Sequence, residues 1–194
     1  MDLSNVIVID IETTGTNVFE HEVISVALVP VRRDLVPLSI HVQVDEGTPW
    51  SPFAETNWRR FEKDWRRDAL PSDAAAKLIQ EYLDTLPGDS DYLLAGHNIG
   101  FDRAFFSKLA FRAGRSEFRR VSHRNIDTFT LLFRLAALAE IPEEATTSAG
   151  AFKYFGIRVP EAERHTALGD ALATRVLVEI LLETDRYVAR EAAR

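Results

Sequence analysis

The stretch VIVIDIETTGTN, residues 6–17, decides the fold of this chain. Its first four residues are β-branched, and a short uninterrupted apolar run of this kind predicts a strand that is buried on both faces. Asp10 and Glu12 follow within the same stretch. Because side chains two residues apart on a strand point to the same face, these carboxylates are expected side by side at the end of a buried strand. Two unpaired charges there would repel each other and lose hydration, so they need a partner.

The composition is typical of a globular protein and excludes several classes. The 194 residues are 46% hydrophobic and 27% charged, which suits one domain spanning residues 1–194. No segment approaches the length of a membrane span, and the first residues, MDLSN, lack the basic and apolar regions of a signal peptide. The absence of Cys excludes disulfides and thiolate metal sites, and it suits a cytoplasmic location. The net charge of −7 argues against a protein that coats nucleic acid nonspecifically, but it allows an acidic site that needs cations.

Three strands are predicted within the first 45 residues. The second covers residues 22–31 and is mostly apolar on both faces, whereas residues 36–45 alternate and contain a proline, as in a half-exposed edge strand. A meander followed by alternating helices and short strands predicts an α/β domain with a mixed sheet and helices on its faces. Among the later elements, a short strand is predicted at 92–95, and helices at about 100–113, 128–140, 147–155 and from 166 onward.

Two further carboxylates occupy positions where an apolar or solvated residue would be expected. Asp102 ends the block HNIGFD and lies in the first turn of a predicted helix. Asp170 belongs to HTALGDA, residues 165–171, and its three- and four-residue spacing to Ala173, Thr174 and Leu177 places it on the apolar face of the last helix. Thr166 is a suitable N-cap for that helix, which leaves His165 just outside it.

Each of these residues has an ordinary alternative. The helix dipole favours an acid in a first turn, and a histidine at a helix entry usually serves only as a hydrogen-bonding residue. One hypothesis accounts for all the carboxylates, namely that they converge around divalent cations such as Mg²⁺ or Mn²⁺, which prefer hard oxygen ligands. Two such ions stabilise the attacking and leaving oxygens of a phosphoryl displacement, and His165 could deprotonate the attacking water.

Three blocks resemble the DEDDh 3′–5′ exonucleases, in that family's order. They are DIETTG at 10–15, HNIGFD at 97–102 and HTALGD at 165–170, and NIDTFTLL at 125–132 is similar to the segment between the last two. Within the family, DIETTG is most similar to the epsilon-type (DnaQ-like) proofreading exonucleases. The resemblance implies a ribonuclease H-like α/β fold, a five-stranded mixed sheet flanked by helices, with its first three strands antiparallel.

The resemblance also implies a role for each residue of the blocks. Asp10 would contact both of two Mg²⁺ (or Mn²⁺) ions. Glu12 and Asp170 would complete one metal site, and Asp102 would act on the second. His165 would be the general base.

The residues expected to contact substrate match the family's pattern less completely than the metal ligands do. Residues expected near the terminal nucleotide are Thr13, Thr14 and Asn98. The family usually carries Leu or Met after the block TTG, where it wedges against the terminal bases, but here the residue is Thr16, and Val18 or Phe19 could take its place. Asp127 is expected to be structural, either supporting the site from behind or capping a helix.

Two segments outside the blocks have open interpretations. Residues 107–124 hold six basic residues against one acid, so they could follow the phosphates of a single strand or form a solvated face. The six basic residues of this segment are Lys108, Arg112, Arg115, Arg119, Arg120 and Arg124. Further basic residues that could contribute lie earlier in the chain and are Arg59, Arg60, Arg66 and Arg67. The aromatic residues of 50–65 are interpreted as core packing beneath a loop and helix, with a stacking platform for bases as the alternative; they are Trp50, Phe53, Trp58, Phe61 and Trp65.

The sequence therefore predicts a metal-dependent 3′–5′ exonuclease that releases nucleoside 5′-monophosphates from single-stranded or frayed ends, as in DNA proofreading or repair. DNA is favoured over RNA because DIETTG differs from the first block of oligoribonucleases. The alternatives are an RNA-trimming enzyme similar to ribonuclease T or oligoribonuclease, and a non-catalytic module that binds nucleic acid or protein. The expected partners are single-stranded 3′ ends, with a polymerase or a second copy of the chain as further candidates, and no membrane.

Overall fold

Five strands form a mixed sheet in the order β3-β2-β1-β4-β5. The computed structural model describes residues 3–59, 62–160 and 163–192, with side chains described through Leu182 in the last helix. The strands are β1 (Val6–Thr13), β2 (Val23–Pro30), β3 (Leu38–His41), β4 (Tyr92–Gly96) and β5 (Val121–Asp127). The first three are antiparallel, whereas β4 pairs in parallel with both β1 and β5. The predicted ribonuclease H-like α/β fold is confirmed.

Helices cover both faces of the sheet. The helix predicted over 128–140 ends earlier, because Ala139 takes a left-handed φ of 56° and the Glu140 N–H donates to the Leu135 carbonyl, which closes the helix end. The helices are α1 (Pro52–Asn57), α2 (Glu62–Trp65), α3 (Ser72–Thr85), α4 (Ile99–Arg112), α5 (Thr128–Ala137), a 3-10 turn (Glu143–Thr146), α6 (Ser148–Tyr154) and α7 (Ala167–Ala192).

The alternation of β1 decides which helix the acidic residues face. Ile7, Ile9 and Ile11 belong to the core that the sheet forms with α3 and α4. Val6 and Val8 belong to the opposite core, which includes residues of α7. Because side chains alternate along a strand, Asp10 and Glu12 continue the second set and therefore lie on the α7 face.

The two edge strands depart from the sequence prediction. β3 covers only residues 38–41 of the alternating stretch 36–45, and Val36 is 79% exposed. The sequence VSHRNID of β5 is mostly polar, and its residues are exposed or half-buried, so it shows no strand periodicity. It is held instead by its parallel ladder to β4, including the pairs Leu94 with Asn125 and Gly96 with Asp127.

The aromatic segment forms a small core of its own. Trp65 is buried with Ile24, and Trp50 and Trp58 pack against them, which confirms the prediction of core packing for the three tryptophans. Phe53 differs, since it is 59% exposed. Phe61 lies outside the described residues. Within the described ranges, none of the helices has the length and apolar character needed to cross a membrane.

Candidate active site

Asp10 and Glu12 lie at the end of β1, on the face that α7 covers. Asp10 is half-buried and pairs in register with Ala27 of β2, and Glu12 pairs with Ser25 and is 9% exposed. A β-bulge follows directly after Glu12. Such an irregularity ends regular pairing and re-aims the chain, so the acids occupy the last regular positions of the strand.

Asp102 reaches the same place from α4. Asn98 takes a left-handed φ of 60° and starts the helix, which puts Asp102 in its first turn. The carboxylate is 5% exposed, and its Oδ1 accepts a hydrogen bond of 2.8 Å from the N–H of Ile11, the residue between the two acids of β1. Asp102 is therefore a buried acid fixed to β1, and the alternative of a surface acid at a helix start is wrong.

Asp170 reaches it from the first turn of α7. The predicted N-cap is confirmed, since Thr166 Oγ1 accepts from the N–H of Gly169 at 3.1 Å. A Cβ on Gly169 would lie 2.1 Å from the carbonyl oxygen of Glu163, so this glycine lets the preceding loop fold onto the helix. The Asp170 carboxylate, largely buried, accepts from the guanidinium of Arg164 at 2.7 Å.

The carboxylates perturb one another because they are close together and shielded from water. Burial raises the pKa of Asp10 well above its usual value, and repulsion from the other three carboxylates raises it further. Burial, followed by repulsion from Asp170 and Asp102, has the same effect on the pKa of Glu12. Burial also raises the pKa of Asp102 to about 7, against a hydrogen bond from the β1 backbone that lowers it. The structure therefore brings the four predicted acids together.

Arg164 is the cation that the sequence prediction missed. It pairs with Asp170, lies over the ring of Phe152 at 5.4 Å, and lowers the pKa of both Asp10 and Glu12. One guanidinium against four carboxylates leaves most of the negative charge uncompensated. The sequence did contain a signal for this residue. Arg164 directly precedes His165 of the third block, and a cluster of acids needs a nearby cation.

The donor set suits Mg²⁺ or Mn²⁺ in its chemistry, since it consists of carboxylate oxygens with uncompensated charge. In the arrangement seen here, however, no three acidic or histidine side chains of the described residues are placed to hold a metal ion together. Asp170 is turned to Arg164, and Asp102 accepts from the β1 backbone. Arg164 therefore competes with a metal ion for the Asp170 carboxylate.

His165 lies at the mouth of the site, just before α7, as predicted. Its φ is 58°, in the left-handed region. The indole Nε1 of Trp58 donates to its carbonyl oxygen at 3.0 Å, a contact across 107 residues that no local pattern reveals. Both residues line a cavity of about 710 Å³, together with Glu12 and Arg164. A cavity of this size, lined by Glu12 from the acidic cluster, can hold a nucleotide-sized group.

The residues predicted to touch the nucleotide are bound into the chain around the site. Thr14 is fully buried, and its Oγ1 accepts from the N–H of Glu22, whereas Thr13 Oγ1 donates to the carbonyl of Gly15. Asn98 is exposed and donates its backbone N–H to Asp127. These contacts give the threonines a supporting role at the strand end, and their contact with substrate stays a prediction.

Asp127 behaves as the sequence predicted. Its carboxylate caps α5 by accepting from the N–H of Phe129, and it also accepts from the hydroxyl of Thr130. Through Asn98 it connects the start of α5 with the start of α4. It is a structural residue behind the acidic cluster.

Much of the basic segment is occupied by internal contacts. Lys108 pairs with Glu22 at 3.0 Å, and Arg112 pairs with both Glu22 and Asp45. Further along, Arg119 pairs with Asp84, and Arg120 donates to carbonyl groups at the end of α3. The same holds in the preceding region for Arg59, Arg66 and Arg67, which pair with neighbouring acids, whereas Arg60 lies outside the described residues. These contacts favour a structural role for most of the segment.

The loop after the first block presents one exposed aromatic side chain. Phe19 is 90% exposed, whereas Val18 packs against the main core. Of the two residues considered in place of the missing apolar residue at Thr16, Phe19 is the accessible one.

Comparison with known families gives one match over most of the chain. The family model described as Exonuclease (RNase_T) matches residues 7–177, which includes all three blocks. No curated protein sequence matches this chain significantly.

Solved structures of exonuclease I share the fold. Exonuclease I from E. coli in complex with a dT13 oligonucleotide superposes with a TM-score of 0.75 at 15% identity, covering 91% of this chain and 40% of that one. A moderately thermophilic exonuclease I from Methylocaldum szegediense gives 0.73 at 18% identity, covering 92% and 40%. The zinc-bound E. coli exonuclease I complex with single-stranded DNA gives 0.73 at 17% identity, with the same coverage of 92% and 40%. This chain therefore spans about 40% of the length of these structures.

Proposed function

This chain belongs to the exonuclease family, and from that premise we propose that it is a metal-dependent 3′–5′ exonuclease that releases nucleoside 5′-monophosphates from single-stranded or frayed ends. The observation that carries the proposal is the meeting of four buried or half-buried carboxylates beside His165. Asp10 and Glu12 come from β1, and Asp102 and Asp170 come from the first turns of two different helices. A fold gains no stability from gathering like charges away from water, so their convergence indicates a function.

The carboxylates are the proposed metal ligands. Asp10, Glu12, Asp102 and Asp170 would hold two Mg²⁺ or Mn²⁺ ions, with Asp170 leaving Arg164 to do so. When bound, these ions supply positive charge for the phosphodiester under attack and lower the pKa of an attacking water. The exonuclease family as a whole supports dependence on divalent metal, whereas the identity and number of ions belong to this proposal.

His165 is the proposed general base. Its imidazole stands at the edge of the cavity that also contains Glu12, on the loop before α7. A ring nitrogen there would accept the proton of the attacking water, and the exposed cavity would let the protonated histidine return its proton to solvent. Asp170 lies five residues further along and is drawn toward the same loop by Arg164.

Phe19 is proposed to contact the terminal base in place of the apolar residue that Thr16 replaces. An accessible aromatic ring can stack on any base, which fits an enzyme with low sequence preference. Thr13, Thr14 and Asn98 complete the proposed nucleotide site. DNA is favoured as substrate on the first block, and the E. coli and M. szegediense proteins of similar fold are exonuclease I, one of them in complex with a dT13 oligonucleotide. RNA trimming is the alternative.

Several wider features belong to the same proposal. Residues 1–194 are taken as one exonuclease domain, supported by the family match over 7–177. A polymerase or a second copy of the chain is a candidate partner, and closeness to the epsilon-type enzymes stays a prediction. The cytoplasmic location likewise stays a prediction from the cysteine-free composition.

The test is a digestion assay with matched variants. The wild-type chain should shorten a 5′-labelled single strand stepwise in the presence of Mn²⁺, and an Asp10→Ala, Asp170→Ala double variant should not. Asp73→Ala removes an exposed acid of α3 and should degrade the strand like the wild type. Equally poor degradation by the wild type and the double variant would leave the non-catalytic binding module as the better account. Parallel digestion of mismatched duplex DNA and short RNA decides the substrate class.

A further inference from the structure

The backbone of His165 has an energetically unfavourable conformation. Its φ of 58° lies in the left-handed region, which costs a non-glycine residue about 1 kcal/mol or more. Among the described residues, its loop is restrained locally by the hydroxyl and N–H of Thr166, which donate to the carbonyl of Glu163, and by the guanidinium of Arg164, which donates to Asp170. A residue in such a conformation needs contacts from elsewhere in the chain to stay there.

Two aromatic side chains around α1 supply contacts of that kind. The Nε1 of Trp58, the C-cap residue of α1, donates to the His165 carbonyl at 3.0 Å. The ring of Phe53 meets the imidazole edge-on, with centroids 6.4 Å apart and an interplanar angle of 87°. Phe53 and Trp58 also contact each other at 5.2 Å. The main chain and the side chain of His165 are therefore both touched from the same helix.

α1 is itself tied to the strand that carries the acids. Ser51 caps the helix by accepting from the N–H of Ala54, and its own N–H donates to the carbonyl of Thr14 at 2.8 Å. At the other end of α1, the carbonyl of Trp58 accepts from Nε1 of the buried Trp65. A continuous set of contacts thus runs from the end of β1 through α1 to the loop of the histidine.

We propose that Trp58 is a positioning residue for His165. Its contact with the His165 carbonyl would fix the position of the histidine relative to the acids of β1. The inference rests on the proposed function, because positioning matters only if His165 takes part in the chemistry. It concerns residues 46–70, a region that resembles none of the family's blocks. Misplacing a catalytic group by a fraction of an ångström lowers turnover without changing how tightly substrate binds.

The test uses Trp58→Phe, which keeps an aromatic ring but removes the N–H donor together with part of the indole ring system that packs in the small core. We expect kcat to fall about three- to tenfold, as for loss of one hydrogen bond, with KM within about twofold of wild type. Trp50→Phe is the matched control, since Trp50 lies in the same aromatic core and makes no described contact with His165. It should leave kcat unchanged.

A double-variant cycle separates positioning from simple packing. In a His165→Ala background, Trp58→Phe should cause no further fall in kcat, because the group that it positions is already gone. An equal fall in both backgrounds, or an unchanged kcat for Trp58→Phe alone, would overturn the proposal.

A measurement independent of activity distinguishes this proposal from the proposed function. The three tryptophan indole N–H signals can be assigned in NMR spectra by their loss in the Trp58→Phe and Trp50→Phe variants. The Trp58 indole N–H should exchange with water several-fold more slowly than that of Trp50. If the Trp58 indole N–H exchanges as fast as that of Trp50, the hydrogen bond from Trp58 to the His165 carbonyl is refuted. A protected Trp58 indole in a wild-type chain that degrades no nucleic acid would instead uphold the contact and refute the exonuclease function.

Discussion

Replacing Asp102 with Asn should make the metal-free protein more stable while removing its activity. The substitution removes one negative charge from the acidic cluster. The side-chain oxygen of Asn can still accept the hydrogen bond that Asp102 takes from the N–H of Ile11 at 2.8 Å. The change is therefore close to isosteric and tests the charge alone.

The expected gain follows from the pKa of Asp102, which burial raises from 3.8 to about 7. A raised carboxyl pKa means that the folded state holds the proton more tightly than the unfolded state. The associated stability is therefore fully present below about pH 4 and is lost as the pH rises to about 7. With about 1.4 kcal/mol for each tenfold change in proton affinity, the ionised group destabilises the folded state by about 4 kcal/mol at pH 8. In a chain of this size that corresponds to a Tm difference of about 10 °C.

The assay is thermal unfolding in EDTA at several pH values from 4 to 8. The Asp102→Asn variant should equal the wild type near pH 4 and exceed it increasingly above pH 5, whereas an Asp89→Asn control, at an exposed position in the loop before β4, should follow the wild type throughout. Adding Mg²⁺ should stabilise the wild type more than the Asn variant, because the ion binds the folded state through the lost carboxylate. If the variant is no more stable than the wild type at pH 8 in EDTA, the ionised Asp102 carboxylate does not destabilise the folded state, and the argument from its burial is refuted.

Further variants test His165, Gly169 and Arg164, with Gly100→Ala as the control for Gly169→Ala. His165→Ala should lower turnover by about 10²- to 10⁴-fold, measured in single-turnover digestion, with binding of the 3′ end retained in fluorescence anisotropy; lost binding with unimpaired chemistry at saturation would remove it from the base role. Gly169→Ala should destabilise the protein by about 1–3 kcal/mol in denaturant titration, because its Cβ would lie 2.1 Å from the Glu163 carbonyl. Gly100→Ala, whose Cβ would meet nothing within 4 Å, should be neutral or stabilising, and equal effects would contradict the steric argument. Arg164→Gln should bind Mn²⁺ more tightly in calorimetry, since the ion no longer competes with a guanidinium; weaker binding would show that the arginine supports the metal site.

Local periodicity was enough to place three of the four acids. Asp102 joined them only through the hypothesis of shared cations and the family resemblance, because the helix dipole alone accounts for an acid in a first turn. The two-residue repeat of β1 placed Asp10 and Glu12 on one face, and the helical repeat placed Asp170 on the buried side of α7. Both patterns are properties of single elements, so they can be read without knowing the partner. The meander of the first three strands was also predicted from the sequence pattern, whereas the count of five strands came from the resemblance to a known family, because β5 is too polar to show a strand pattern.

The supporting contacts could not be predicted in the same way. Trp58 and His165 are 107 residues apart, and nothing near either residue indicates their hydrogen bond. A role for Lys108 and Arg112 as phosphate ligands was left open because their own segment holds six basic residues and one acid, yet both pair with Glu22, the residue before β2. Contacts of this kind depend on the packing of distant elements, which a local pattern does not encode.

The acidic cluster is proposed to cleave phosphodiester bonds from the 3′ end of a strand. The most direct measurement is analysis of the small products released from a single strand of DNA by the wild type and by the Asp10→Ala, Asp170→Ala variant, each with Mg²⁺ and with EDTA. Nucleoside 5′-monophosphates should be released from the 3′ end only by the wild type and only with metal. Release from the 5′ end, 3′-monophosphate products, or equal release by the double variant would contradict it.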